Sequence, residues 1–490
     1  MLRDLAMATI ESQLVGALGA ARVLTSADAL LAWECDGFTV HRSRPRAVVL
    51  PESTAEVRAV VRLLADAGVP FVPRGAGTCL SGGPTAGPDA VVIDLARMRT
   101  VLHVSTEDLY AVVQPGVVNL DLTHAVHRHG LHYAPDPSSQ SVCTIGGNLA
   151  ENSGGPHCFK YGMTVDHVLG ALVVLPDGEL LRLGGPAGPR GPGELDLLGV
   201  FCGSEGTFGI ATEITVRLCR DQDGVRTLLG SFASMPAACR TVSDIVAAGL
   251  VPAALEILDQ ATIRAVEASV YRAGYPEDAA AVLLVELDGP HDVLAEEAAE
   301  VRSFFARHGA LRVEEATDPA ERKRLWKGRK GAFGAMGRLN TDLYVLDGVV
   351  PRTRLEEALA GIAAIGSKHG VVMTNVFHAG DGNLHPNISY DGRDAQQTAR
   401  TIAAGHEILQ LCVDLGGSIS GEHGIGTEKL DHVRMMYDED DLAVMQRVRT
   451  AFNKRGLCNP GKVLPSRGAC AEVAKWPQMV ARVLDPEPRR

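Results

Sequence analysis

None of the chain's ten cysteines stands in a CxxC pair; they fall singly at positions 35, 79, 143, 158, 202, 219, 239, 412, 458 and 470. That spacing excludes a zinc ribbon and a ferredoxin-type iron–sulfur cluster, and it predicts buried thiols in a reducing cytoplasm. No segment carries the roughly 20 consecutive apolar residues that a membrane helix needs. The N-terminal stretch MLRDLAMATIESQLVGALGAARVL is interrupted by Arg3, Asp4, Glu11 and Arg22, so it reads as an amphipathic helix and not as a signal peptide. Positive charge is short too: 47 Lys and Arg face 59 Asp and Glu, a net charge of −12. No electrostatic footprint for nucleic acid is visible, and an acidic substrate has to be held by cations placed locally.

Two glycine-rich segments approach nucleotide signatures and miss them. In PRGAGTCLSGG the third glycine of a Rossmann fingerprint is replaced by Leu80, and Pro84 with Gly87 forbids the helix that should follow. GLCNPGKV matches a Walker loop as far as Lys462, then offers Val463 where magnesium binding requires Ser or Thr. Yet PRGAGTCLSGG is well suited to another task, since backbone N–H groups around Gly75, Gly77, Gly82 and Gly83 can converge on a pyrophosphate. With two more glycine loops, at 144 to 155 and 203 to 210, it suggests an extended ligand lying across backbone. FAD is long enough.

At 490 residues the chain should divide into two or three domains, because single cores seldom grow beyond about 250 to 300 residues. Ser53 with Glu56, the apolar face Val57, Val60, Val61 and Leu64, and Gly68 mark a capped helix. Strands are expected at 91 to 95, at 110 to 117, and on either side of Pro176, Asp177 and Gly178 as a hairpin. GGPAGPRGPGE at 184 to 194 reads as a surface loop. Composition shifts near 219 to 226, after which longer helices alternate with strands as in an α+β domain on an antiparallel sheet. The expected limits are a helical segment over 1–44, a ligand domain over 45–220, a second domain over 221–450, and a tail over 451–490 that returns to dock.

The densest chemistry lies in FHAGDGNLHPN and SGEHGIG. If Asp381 and Gly382 form a two-residue hairpin turn, His378 falls directly opposite His385, with Cβ atoms about 4.5 to 5.5 Å apart. Two imidazoles with Glu422 then make a three-ligand site with an open position, as catalytic zinc-like centres have. Zinc, manganese and iron(II) suit such ligands about equally. His423 is left free to act as a base.

Together PRGAGTCLSGG, PDPSSQSVCTIGGNLAENSGG, GSEGTFGI, WKGRKGAF, HAGDGNLH, GEHGIG and NPGKVLP, in this order over about residues 45 to 465, resemble the FAD-linked 2-hydroxy-acid dehydrogenases of the vanillyl-alcohol-oxidase-type flavoprotein superfamily. Within that group the FAD-binding subunits of bacterial glycolate oxidases and the D-lactate dehydrogenases are most similar. The resemblance implies an α+β fold: a two-subdomain FAD-binding domain, an α+β cap with an antiparallel sheet over the flavin, and a tail returning to the ring. It implies that Pro73, Arg74, Gly75, Ala76, Gly77, Thr78, Ser81, Gly82 and Gly83 hold the pyrophosphate. Pro137, Ser138, Thr144, Gly147, Asn148, Ser153 and Gly154 would line the flavin, Glu205, Gly206 and Ile210 its adenine side, and Asn459 would approach the ring. Some relatives attach flavin through a His in the first loop; Thr78 stands there here, so non-covalent FAD is expected.

The implied reaction oxidises glycolate or D-lactate to the 2-oxo acid by hydride transfer to flavin N5, with a metal on His378, His385 and Glu422 acidifying the hydroxyl and His423 taking its proton. Arg329, flanked by Lys327 and Lys330, is the expected grip on the carboxylate. Asn387, two residues beyond His385 on the same strand face, is a further polar contact. Apolar Phe333 and Val345 favour a small monocarboxylate over D-2-hydroxyglutarate. Electrons would pass to a partner, in such complexes a second FAD-domain subunit and an iron–sulfur subunit, which would place the chain in the cytoplasm or peripherally at the inner membrane. A zinc hydrolase using the same ligands, or an electron-conduit subunit without its own turnover, are the competing readings.

Overall fold

In the computed structural model, which describes residues 9–188, 193 and 195–465, three short apolar runs build the first sheet. Ala47–Val49 and Phe71–Arg74 flank Val91–Asp94 in parallel, and Val23–Leu24 pairs antiparallel on the edge. The Thr54–Ala67 helix covers one face with Val57, Val60, Val61 and Leu64, the stripe expected from its sequence. Ser53 caps it by accepting from the Glu56 N–H, and Gly68 closes it in the left-handed region. The reciprocal half of the capping box is diverted: the Glu56 carboxylate accepts from the Glu52 N–H and pairs with Arg22 at 2.7 Å. The Ile10–Leu18 helix packs on the same core, but it is shorter than expected: Gly19, at a φ of 84°, ends it, and Ala20–Arg22 form a 3-10 turn that leads into the Val23–Leu24 strand. Residues 1–8, 189–192 and 194, and the tail beyond 465 with Cys470, lie outside the described residues.

A second, five-stranded sheet is antiparallel throughout, in the order Val101–Ser105, Tyr110–Val113, Ile210–Arg217, Val168–Val174, Leu180–Gly184. Its hairpin turns through Gly178 at a φ of 82°, between the expected strands. The three glycine loops, the first following the Phe71–Arg74 strand and the third preceding the Ile210–Arg217 strand, contribute to the lining of one cavity.

Apart from Leu131–His132, which pairs with Cys219–Arg220 alone, the other nine strands among the described residues form one antiparallel sheet. Along Ala281–Gly289, Leu283, Val285 and Leu287 enter one apolar core while Val282 and Leu284 enter another, so both faces are buried. Glu286, on the Val282 and Leu284 side of the strand, and Glu256 on the neighbouring Ala254–Asp259 strand, are buried carboxylates. Such groups need partners. The Pro319–Lys330 helix supplies them: Leu325 and Trp326 pack into the core, Arg322 binds Glu286 through two nitrogens, and Arg329 binds Glu256.

The chain then returns. Cys458 bridges Phe71 in parallel, the Asn459 N–H donates to Phe71 O, and its side-chain amide donates to Gly83 O and Glu205 O. Lys462, the residue that completes the Walker-like pattern, is buried and ties down the carbonyls of Gly82 and Thr85.

Candidate active site

One cavity of about 460 Å³ runs between the glycine loops and the large sheet. Its walls include Pro73, Arg74, Gly75, Ala76, Gly77, Thr78 and Gly83 from the first loop and Pro137, Ser138, Thr144, Gly147, Asn148, Ser153 and Gly154 from the second. Glu205, Gly206, Ile210 and Asn459 complete that end, while Lys330, Phe333, Leu343, Val345, His385, Glu422 and His423 line the other. Ser81 and Gly82 do not line it. Ser81 instead donates to His423 O and accepts at its own carbonyl from Thr427 and Glu428, and the Gly82 N–H is taken by Asp36.

The residues at the loop end fit an extended dinucleotide. Arg74 Nη1, Asn148 Nδ2, Ser204 Oγ, Glu151 Oε2 and Asn459 Oδ1 are buried without hydrogen-bond partners, although such atoms are normally satisfied. Backbone shape points the same way. Gly206 has a φ of 67° and lies so close to Pro73 that a Cβ would meet its ring at 2.6 Å, while Glu205 and Asn459 accept left-handed conformations that side chains resist. Cys143, also on the wall, has its thiol pushed up to about 11 by burial and is a poor nucleophile.

At the other end the structure corrects the expected hairpin. His378 pairs with Asn383, not His385, so the turn spans four residues, Ala379 to Gly382. The physical reason is that a two-residue turn of the Asp-Gly kind needs left-handed backbone at both positions, and only Gly382 has it. Asp381 instead accepts from the Asn383 N–H. The histidines are therefore diagonal neighbours on one sheet face, with ring centroids 5.1 Å apart.

Glu422 reaches both. Its Oε1 lies 3.4 Å from His378 Nε2, 3.1 Å from His385 Nε2 and 3.8 Å from His423 Nε2. Behind them, His378 Nδ1 contacts Glu256 at 2.7 Å and His385 Nδ1 contacts Leu346 O at 3.2 Å, which turns both Nε2 atoms toward Glu422. Imidazoles oriented this way from behind are typical of metal ligands. His378, His385 and Glu422 offer one ligand atom each within a 4.8 Å group, so the donor set fits a divalent cation. Burial opposes charge on His378, but Glu256 and Glu422 outweigh it and raise its pKa.

Asp347 was not anticipated and organises the loop that carries Glu422. Its fully buried carboxylate accepts from Ser420 Oγ, from Lys429 and from the successive N–H groups of Gly421, Glu422 and His423. Asp347 also falls within ligand reach of His385 and His423, but with five donors already on it, it serves as a brace. The signal was available: an acid inside the apolar run LYVLDGVV must find donors somewhere. Glu205 adds a second tie, accepting from Ile425 and Gly426, and Gly154 sits so close to Glu422 that a Cβ would fall 2.4 Å from Oε2. Loop and ligand are thus in contact across the cleft.

His423 stacks on His385 at 4.9 Å and its pKa falls to about 4, because burial and His385 outweigh Asp347. It is neutral at ordinary pH and able to accept a proton. Arg329 and Asn387 lie behind the wall, not on it. Arg329 is 1% exposed, with Nε on Glu256 at 2.5 Å and Nη2 buried without a partner. Asn387 donates to His385 O at 2.7 Å and leaves Oδ1 without one.

A backbone-built cleft opening onto a capping sheet is the architecture of the vanillyl-alcohol-oxidase-type fold, and p-cresol methylhydroxylase with substrate bound superposes with a TM-score of 0.79 at 18% identity, over 93% of this chain and 96% of that one. That likeness establishes the fold. Residues 45–184 match the FAD binding domain and residues 222–463 match the FAD linked oxidases, C-terminal domain. The chain is 45% identical to the glycolate oxidase subunit GlcD of Escherichia coli (strain K12), over 92% of its length and 90% of the relative's. It is 32% identical to a D-lactate dehydrogenase of Anaerostipes hadrus, over 86% and 90%. The chain belongs to the FAD-linked oxidase family and is a flavin-dependent oxidoreductase.

Proposed function

We propose that the protein is an FAD- and divalent-metal-dependent dehydrogenase that oxidises a small 2-hydroxy acid, glycolate or D-lactate, to the 2-oxo acid. One observation carries the reading: the glycine loops and the His385, Glu422 and His423 cluster line the same cavity. The similarity to a glycolate oxidase subunit and to a D-lactate dehydrogenase supports the substrate class.

The loops from Pro73 and from Pro137 would hold FAD without a covalent bond, and bound there it would supply the hydride acceptor. His378, His385 and Glu422 would hold a divalent cation, whose positive charge would lower the pKa of the substrate hydroxyl. His423, neutral and facing the cavity, takes the hydroxyl proton at Nε2. Arg329, held by Glu256 behind the cavity wall with Nη2 unpaired, is the inner cation toward which the substrate carboxylate would be oriented, and Asn387, its Oδ1 also unpaired, lies behind the wall as well. Phe333, Leu343 and Val345 give that end apolar walls suited to a short substrate. Among the described residues no helix is long and apolar enough to cross a membrane. The similarity to a protein named as a subunit of glycolate oxidase supports transfer of the electrons to a partner subunit or carrier.

Anaerobic mixing of the yellow protein with glycolate, D-lactate and D-2-hydroxyglutarate tests this directly. The first two should bleach the flavin fastest; a yellow protein bleached by none of the three overturns the reading. Acid precipitation should release the flavin into solution.

A further inference from the structure

Arg74 and Lys330 are the two permanent cations among the described residues that line the cavity. They stand at opposite ends. Arg74, on the first glycine loop, donates to Cys35 O and is faced by Asp36 and Asp94. Lys330 stands at the substrate end beside Phe333, Leu343 and Val345, and its side chain is exposed. Its neighbour Arg329 is neutralised by Glu256, whereas Lys330 makes no ion pair among the described residues.

What holds Lys330 there is an aromatic ring. Its ammonium lies 5.6 Å from the centroid of Trp326, one helical turn back. Trp326 is fixed in turn: its Nε1 donates to Glu286 at 2.5 Å, and His157 stacks on it at 5.5 Å and 26°. A ring face attracts a cation without cancelling its charge. Lys330 is therefore a restrained and uncompensated positive charge on the cavity wall of a chain whose net charge is −12.

We propose that Lys330 is the anion-capturing residue of this site: it draws the carboxylate of the 2-hydroxy acid from solvent to the cavity wall. The inference rests on the proposed 2-hydroxy-acid reaction and adds to it a cation that governs capture and not the chemical step. A flexible ammonium suits transient capture, whereas a fixed guanidinium suits final alignment.

The test compares wild-type holoenzyme with K330Q, K330R and K330E, and uses K327Q as a charge-matched control, since Lys327 is exposed and does not line the cavity. At low salt K330Q should lower kcat/KM for the hydroxy acid about fivefold, the worth of one near charge pair in water. The loss should lie in KM, with K330R restoring most of it and K330E exceeding it. Raising salt from about 0.01 M to about 1 M, which shortens the Debye length from about 30 Å to about 3 Å, should bring wild type and K330Q together. Binding of oxalate, an unreactive dicarboxylate, read from quenching of flavin fluorescence, should weaken in the same order. A K330Q enzyme equal to wild type in both KM and oxalate affinity, or a difference that salt does not change, overturns the proposal. Lys330-dependent oxalate binding in a protein that no hydroxy acid bleaches would instead overturn the proposed reaction and leave the anion site standing.

Discussion

The two ends of the cavity are built from opposite materials. The dinucleotide end is backbone: its shape comes from glycines and left-handed turns at Glu205 and Asn459, and its contacts are unpaired groups that await a ligand. The capping end is side chain: three imidazoles and a carboxylate, each braced from behind by Glu256, Leu346 O or Asp347. The difference teaches how each fails. A backbone cradle is ruined by adding atoms and a side-chain cluster by removing them, so single substitutions should separate the two functions.

The largest effect belongs to the cluster. His385→Ala or Glu422→Gln should cut turnover about 1,000-fold or more, since a metal's stabilisation of developing charge is worth several kcal/mol. Both variants should stay yellow, with absorbance reporting FAD and elemental analysis reporting the lost metal. Gly206→Val should give the converse. Its φ of 67° is hostile to a β-branched residue and its Cβ would press on Pro73, so FAD affinity should fall about 10- to 100-fold while metal content is kept. A Gly206→Val protein that binds both groups normally would break the comparison.

Much of this division was legible from the residues. Glycine loops announce themselves by composition, and His378, His385, Glu422 and His423 crowd two short segments, so the cluster needed little folding information to be noticed. That the acids behind it need partners could be read from their apolar surroundings, but which residues those partners are could not. Glu256, Glu286 and Asp347 stand inside the apolar stretches AALEILD, LLVELDG and LYVLDGVV, and their partners are 73, 36 and more than 70 residues distant in sequence. Only the sheet brings them together. The hairpin register failed for a related reason: Asp-Gly favours a tight turn locally, but the loop's carbonyls are committed elsewhere, Gly382 O accepting from the Val350 N–H and Gly380 O from the Arg352 side chain. Ser81 and Gly82 were assigned by their place in a motif, and contacts to the His423 loop and to Asp36 decide where they point.

Smaller effects sharpen the contrast by touching the braces. Asp347→Asn keeps the shape of the side chain but replaces an acceptor oxygen by a donor facing the N–H groups of Gly421 to His423. Metal affinity should fall about 10- to 100-fold, as when groups behind metal ligands are altered. FAD binding should be unaffected, and competition with a chelator gives the measurement.

The smallest effect is expected where the two halves meet. His157, at the start of a short helix in the flavin domain, contacts Asp136 at 2.9 Å and Glu286 of the large sheet at 3.2 Å, while Lys160 and Tyr161 both reach Asp288. Burial disfavours charge on His157, yet Asp136 and Glu286 outweigh it and raise its pKa to about 10. A base whose folded pKa is raised adds stability that is full below its unfolded value, about 6.5, and disappears as pH climbs through the folded value. His157→Gln should therefore cost about 2 kcal/mol near neutral pH, below the usual cost of breaking a fully buried pair because this imidazole keeps some solvent contact. The melting temperatures of wild type and variant should differ by a few degrees at pH 7 and converge above about pH 10. A gap that persists unchanged above that pH would mean that packing against Trp326, and not charge, is what His157 contributes to the seam between the backbone cradle and the side-chain cluster.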